Sequence, residues 1–238
     1  SLLSLRILQG SPSYGGEDYG PLKADIKLVV MDPLAAPLAC DCVQGYAQRK
    51  YEVVADMLRD STGKTFRVTW NESMVDALKS EPNLPVVVVG KDSVVRAEAS
   101  QAKRVLYPVA MLGDQNGSVK QSGLFVVRAK NPAVSLLDLE GYRIFFGPET
   151  CDEKSLAPMA KLREIEVEFE NGNVCASCSV AAKELMELSD EAPYAAIISS
   201  YAEPLLEGCG NIMKGDLRVV GKSDDVPFVS VFIESSMD

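Results

Sequence analysis

The sequence predicts an α/β protein of two lobes, each a mainly parallel sheet flanked by helices, with a cleft between the lobes. Three observations carry this. Strand-sized apolar runs alternate with segments of helical spacing, the arrangement that yields parallel sheets covered on both faces. The alternation also runs through two cycles with matching parts. Met74-Val75-Asp76-Ala77-Leu78 leads through an acidic proline turn into Val86–Val89, and Val180-Ala181-Ala182-Lys183-Glu184-Leu185-Met186 leads through Asp190-Glu191-Ala192-Pro193 into Ala195–Ile198. Between the cycles lie two longer strand-like runs, residues 105–112 and 123–128, able to cross from one lobe to the other.

Residues 1–24, rich in Gly, Ser, Pro and Tyr, read as an N-terminal extension. Residues 26–31 form a mostly buried strand ended by Asp32-Pro33. Residues 43–60 have helical spacing, with Ala47, Tyr51, Val54 and Leu58 on one face. Residues 66–70 read as a strand, 72–79 as a helix with Val75 and Leu78 inward, 86–89 as a continuous apolar strand, and 92–103 as a helix. In the second cycle, 142–146 is a strand, 155–164 a helix, 165–169 a short strand and 178–188 a helix. A strand at 194–198, a helix at 201–207 and closing strands at 217–220 and 228–233 complete the chain. The expected division is 25–118 plus 222–238 for the first lobe and 119–221 for the second, with bending near 113–123 and 214–222 and the last strand returning to the first lobe.

Composition excludes several function classes. The chain has 238 residues and no histidine, so it cannot by itself build a Ser-His-Asp or Cys-His site, or a His-ligated zinc or haem. Its 24 Lys and Arg against 34 Asp and Glu give a net charge of −10, which repels nucleic acid and anionic membrane surfaces. No apolar run approaches the ~20 residues of a membrane-spanning helix. Because the chain opens on Ser1 rather than Met, a trimmed form is expected, with any signal or anchor upstream. No cofactor is expected.

Ligands of open α/β sheets sit beyond the carboxyl ends of the strands, so the loops after Met31, Trp70, Val89, Phe146 and Ile198 should face the cleft. One segment is more specific. In Ser135-Leu136-Leu137-Asp138-Leu139-Glu140-Gly141, Ser135 can cap a short helix, Asp138 sits near its positive end, and Gly141 ends it before the strand.

Residues 135–147 resemble the S-L-x-D-L-x-G-x-x-x-x-F-G signature of type 2 periplasmic solute-binding proteins. More closely, the chain resembles their phosphonate-binding branch, through the Tyr-rich helix segment Tyr51 to Gly63, the strand Val86 to Gly90, the crossing strand Gly123 to Arg128, and Ser223-Asp224-Asp225-Val226-Pro227. The resemblance covers roughly residues 26 to 233. It implies an exported, periplasmic receptor that closes on a small polar solute and delivers it to an ABC permease. It also implies an anion clamp of hydroxyls and helix N-terminal amides in the loop after Gly147. At the clamp positions this chain has Cys151, Asp152, Glu153 and Lys154, and apolar Ala196 replaces an acidic residue of the family. A carboxylate there repels a dianionic phosphonate, leaving a zwitterion, a neutral polar solute or a cation.

The ligand-facing positions expected on this basis are Asp32, Cys42, Tyr46, Trp70, Gly90, Thr150, Cys151, Asp152, Cys175, Ser199, Ser200 and Tyr201. Some have a plainer reading: Trp70 as core, and Ser199, Ser200 and Tyr201 as a capped helix start. Arg49 and Lys50 read as solvated surface and Tyr51 as core. The six cysteines, Cys40, Cys42, Cys151, Cys175, Cys178 and Cys209, are disulfide candidates, with Cys151 expected close to Cys175 or Cys178. A soft-metal site using Cys151, Asp152, Cys175 and Cys178, reactive thiols, or simply buried cysteines stay open. Two rival functions also stay open: an enzyme with a cleft thiol and a carboxylate base at Asp152 or Glu153, and a sensory or assembly module.

Overall fold

The computed structural model describes residues 24–39, 49–114, 117–207 and 212–237. In chain order the elements are β1 (Ile26–Met31), α1 (Tyr51–Thr62), β2 (Phe66–Trp70), α2 (Met74–Ala77), β3 (Val86–Lys91), α3 (Asp92–Gln101), β4 (Leu106–Leu112), β5 (Lys120–Gln121) and β6 (Gly123–Arg128). They continue with β7 (Arg143–Phe145), α4 (Leu156–Glu164), β8 (Glu170–Asn171), α5 (Cys178–Met186), β9 (Tyr194–Ser199), α6 (Glu203–Leu206), β10 (Leu217–Lys222), β11 (Val226–Pro227) and β12 (Val229–Glu234).

Two five-stranded sheets result, ordered β2-β1-β3-β12-β4 and β10-β6-β9-β7-β8, and each is the centre of one lobe. In the first, β1 lies parallel between β2 and β3, and β12 returns antiparallel between β3 and β4. In the second, β9 joins β7 in parallel and β6 antiparallel. The central strands are buried on both faces, and the alternation of side chains splits each between two cores. Leu28, Val30, Val87 and Val89 pack on one side of the first sheet, and Val29, Met31, Val86 and Val88 on the other. Leu124, Val126, Ala196 and Ile198 oppose Phe125, Val127, Ala195 and Ile197 in the same way.

The chain passes between the sheets twice, after β4 and after β10. The two passages pair with each other, β5 antiparallel to β11, as Gln121 with Val226 and Lys120 with Pro227. Ser223 also bonds both the N–H and the carbonyl of Gly123. The bend expected at 214–222 is therefore displaced. Leu217–Lys222 is a ladder strand bonded to β6, and the passage begins at Ser223.

Other boundaries shift for local reasons. The helix expected over 43–60 begins at Tyr51 within the described residues, and its buried positions are Tyr51 and Ala55, one turn apart, while Val54 faces out. In α2 the inward residues are Met74 and Ala77, followed by Leu78. Residues 165–169 do not pair as a strand. Val167 is drawn into the core, and the ladder with β7 begins only at Glu170. The capped turn at 135–141 is present as a short 3₁₀ helix, Leu136–Leu139, with the Asp138 carboxylate accepting from the Ser135 N–H and hydroxyl. Residues 1–23 of the extension, Cys40, Cys42, Tyr46 and Cys209 lie outside the described residues, while Ala24 is described and buried.

Candidate functional site

Two loops at carboxyl ends of strands face each other across the lobes, and each carries a buried carboxylate. In the first lobe, Asp32 follows β1. It accepts from the Tyr51 hydroxyl at 2.6 Å, the Arg49 guanidinium at 3.0 Å and the Leu34 N–H at 2.9 Å. Arg49 also reaches the Gly113 carbonyl at 3.0 Å, so it braces the cleft loop to the strand passage rather than standing in solvent. Burial, then the neighbouring Asp32, raises the Tyr51 phenol above its ordinary value and keeps it a hydrogen-bond donor.

In the second lobe the chain leaves β7 and folds into a 3₁₀ turn, Asp152–Lys154, held by Lys154 N–H to Cys151 carbonyl at 3.0 Å and Gly147 N–H to Lys154 carbonyl at 2.9 Å. This turn lies flat on the start of β6. A Cβ on Gly123 would sit 2.1 Å from the Glu153 carbonyl oxygen, so only glycine admits the turn there. The result is to aim the Glu153 side chain inward, where it is 1% exposed.

Three donors converge on the Glu153 carboxylate: the Lys91 ammonium from the end of β3, the Ser199 hydroxyl at 2.9 Å from the end of β9, and the Cys151 thiol at 3.0 Å. Lys91 belongs to the first lobe and the other two to the second. The ion pair thus spans the cleft. Burial would raise the Glu153 carboxyl, but the Lys91 charge and hydrogen bond, with help from Cys151 and Lys154, hold it below the ordinary carboxylate range. Burial likewise pulls Lys91 down, yet Tyr201, Glu153, Cys151 and Cys178 outweigh it and raise the ammonium well above an ordinary lysine.

Further lobe-to-lobe contacts surround the pair. Ser93, in the first turn of α3, donates to the Thr150 carbonyl at 2.8 Å and accepts from the Asp152 N–H at 3.1 Å. Tyr201 stacks on Phe228 with ring centroids 4.9 Å apart, and Lys91 lies 5.5 Å from the Tyr201 ring centre. Beside this junction is a cavity of about 250 Å³, lined by Pro33, Glu72 and Lys91 from the first lobe and Lys154, Ser177 and Tyr201 from the second. Lys154 is 5% exposed; its ammonium donates to the Ala176 carbonyl at 3.1 Å and has no carboxylate partner among the described residues.

The structure distributes the expected positions unevenly. Cys151, Asp152, Thr150, Ser199 and Tyr201 meet at the junction. Ser200 instead holds the strand passage, accepting from the Ser122 N–H at 3.2 Å and donating its own N–H to the Ser122 carbonyl at 2.9 Å. Trp70 packs against the first-lobe core. Gly90 is a packing residue, since a Cβ there would meet Met31 at 2.8 Å and Val95 at 2.9 Å. Cys175 lies in the second-lobe core, with its thiol 3.7 Å from the Asn173 carbonyl. Asp32 acts as the loop anchor described above, and Cys42 and Tyr46 are outside the described residues.

The expected disulfide among Cys151, Cys175 and Cys178 is not formed; all three are free thiols. Each sulfur has a different polar neighbour: Glu153 for Cys151, Asn173 for Cys175, and the Ser199 N–H at 3.3 Å for Cys178. Burial pushes both the Cys151 and Cys175 thiols up to about 11, so each is protonated at neutral pH and a poor nucleophile. Among the described residues no group of three or more His, Cys, Asp or Glu side chains is placed to hold a metal.

Lys91, which pairs with Glu153 across the cleft, is the junction residue the sequence reading passes over. Its signal was available: it directly follows Val86–Gly90, a continuous apolar strand whose end is expected to face the cleft. Ser177 and Lys154, which line the cavity, carried only the weaker signals of a helix cap and a clamp position.

Residues 44–238 match the family of ABC transporter, phosphonate, periplasmic substrate-binding proteins. No curated protein matches the chain. Among solved structures, a Xanthomonas citri protein bound to ATP is similar at 15% identity and TM-score 0.62, over 90% of this chain and 78% of that one. A binding-protein component of an ABC phosphonate transporter from Pseudomonas aeruginosa is similar at 12% identity and TM-score 0.56, over 90% and 70%. A Prochlorococcus marinus protein in complex with methylphosphonate is similar at 13% identity and TM-score 0.55, over 88% and 76%. At such identities the likeness is one of fold. No helix among the described residues is long and apolar enough to cross a membrane.

Proposed function

The chain belongs to the family of periplasmic substrate-binding proteins of phosphonate ABC transporters, and from that premise we propose that it is an exported receptor that holds a small polar solute between its lobes and presents it to a permease. The observation that carries this reading is the cavity of about 250 Å³ between the lobes, at the carboxyl ends of the strands, with the buried Lys154 ammonium on its wall. A buried ammonium with no direct ion pair favours an acceptor group on its ligand. The solute is therefore a small molecule whose acceptor end meets Lys154 and the Ser177 hydroxyl. Its body lies against Tyr201, and Glu72 stands on the first-lobe side for a donor group.

A thiol enzyme built on Cys151 or Cys175 is disfavoured, since burial holds both thiols protonated. Calorimetric titration of the purified protein with small carboxylates, amino acids and alkylphosphonates tests the receptor reading. A solute whose binding disappears in Lys154→Met supports it. Solute binding that is undiminished in Lys154→Met places the ligand elsewhere and overturns it.

A further inference from the structure

We infer that Glu153 is a tethered carboxylate that fills the anion subsite of the cleft, determining specificity by excluding free anions from Lys91 and Ser199. Its consequence for solute choice rests on the receptor reading above; the occupancy of the subsite stands on geometry alone.

The donors around the Glu153 carboxylate are those that a protein uses to capture a small free anion: an ammonium, a hydroxyl and a thiol S–H from three separate chain segments. They are buried together, with Ser199 0% and Cys151 4% exposed, so the donors are screened from solvent and already engaged by the Glu153 carboxylate. A phosphonate or phosphate arriving here would meet a fixed negative charge and a lysine already neutralised. The chain supplies this anion itself, on a turn held in place against Gly123. Because Lys91 comes from the other lobe, the same contact also draws the lobes together without a solute. Lys91 also lines the neighbouring cavity, but its charge is taken by Glu153, so ligand recognition there falls to Lys154, which has no carboxylate within ion-pair distance among the described residues.

The test is chemical rescue. Glu153→Ala removes the tethered carboxylate and leaves Lys91 buried beside an empty space the size of acetate. Acetate and formate are titrated into the wild-type protein, Glu153→Ala, and Glu153→Ala combined with Lys91→Met, with thermal unfolding and calorimetry as readouts. The expected result is saturable acetate binding to Glu153→Ala, at least about tenfold tighter than any binding to wild type, and lost in the double variant. Acetate that stabilises wild type and Glu153→Ala equally overturns the proposal. Should Glu153→Ala fail to fold, the isosteric and neutral Glu153→Gln decides by solution scattering. Expansion of the solute-free protein relative to wild type supports the tethered clamp, and an unchanged radius overturns it. Neither readout uses the transported solute, so a failure of the receptor reading at Lys154 does not imitate a failure here.

Discussion

Asp32 and Glu153 are both buried carboxylates in loops beyond strand ends, and both pair with a cation, yet they do different things. All the partners of Asp32 lie in its own lobe: Arg49, Tyr51 and the Leu34 N–H. Those of Glu153 divide, with Ser199 and Cys151 beside it and Lys91 across the cleft. The first arrangement makes a loop rigid; the second makes the relative position of two lobes depend on one ion pair. What a buried carboxylate does is therefore set by which rigid body its counter-ion belongs to.

The comparison breaks most visibly at Lys91. Lys91→Met should cost about 3–5 kcal/mol at neutral pH, because it leaves Glu153 buried without its counter-ion. Its pH dependence should also reverse. In the wild type the Glu153 carboxyl lies below its ordinary value of 4.5, so its contribution is present above that value and lost as pH falls through the folded one. Without Lys91, burial leaves the carboxyl raised, so the variant gains stability relative to wild type as pH falls toward the acid range. Urea unfolding across pH 4–8 checks both; parallel pH profiles for the two proteins would sink the account.

Asp32→Ala should cost about 3 kcal/mol by stranding Tyr51 and the mostly buried Arg49. Unlike a change at Lys91, it should leave the solute-free scattering radius unchanged. An expansion as large as that of Glu153→Gln would erase the distinction between the two carboxylates. Ser199→Ala removes one donor to Glu153 and should cost about 2 kcal/mol, with the lobes still closed. Smallest is Ser93→Ala, which deletes the neutral lobe-to-lobe bonds to Thr150 and Asp152. A loss of about 1 kcal/mol is expected, and a loss equal to that of Lys91→Met would show that neutral bonds, not the ion pair, hold the cleft.

Much of the fold was legible because its signals are local. The apolar runs at 26–31 and 86–89 read as strands buried on both faces, and they are. The capped turn at 135–141 needed only neighbouring residues, and it formed with the cap as read. The cysteines show where that reasoning stops. Cys151 and Cys178 do gather about Ser199 and Glu153, as their places at strand and helix ends imply. Their spacing, however, carries nothing about the direction in which each sulfur points, and a disulfide requires that direction. Arg49 failed for a similar reason: a charged residue beside a helix start reads as solvated unless the buried carboxylate that calls it inward is already known.

The sequence by itself determined the alternation of strands and helices, the doubled cycle and the charged run Asp152-Glu153-Lys154 in the loop after Gly147, because periodicity, capping and charge are properties of short segments. Only the tertiary structure decided that β12 returns to the first sheet beside β3, that β5 and β11 pair at the passage, and that Lys91 meets Glu153. These are contacts between residues 62 positions apart or more, in the case of the ion pair across two separate lobes. Nothing local specifies such a pairing. It exists because two sheets, each closed around its own cores, present their carboxyl ends to each other, and a buried charge then takes the one counter-ion that the facing lobe brings within reach.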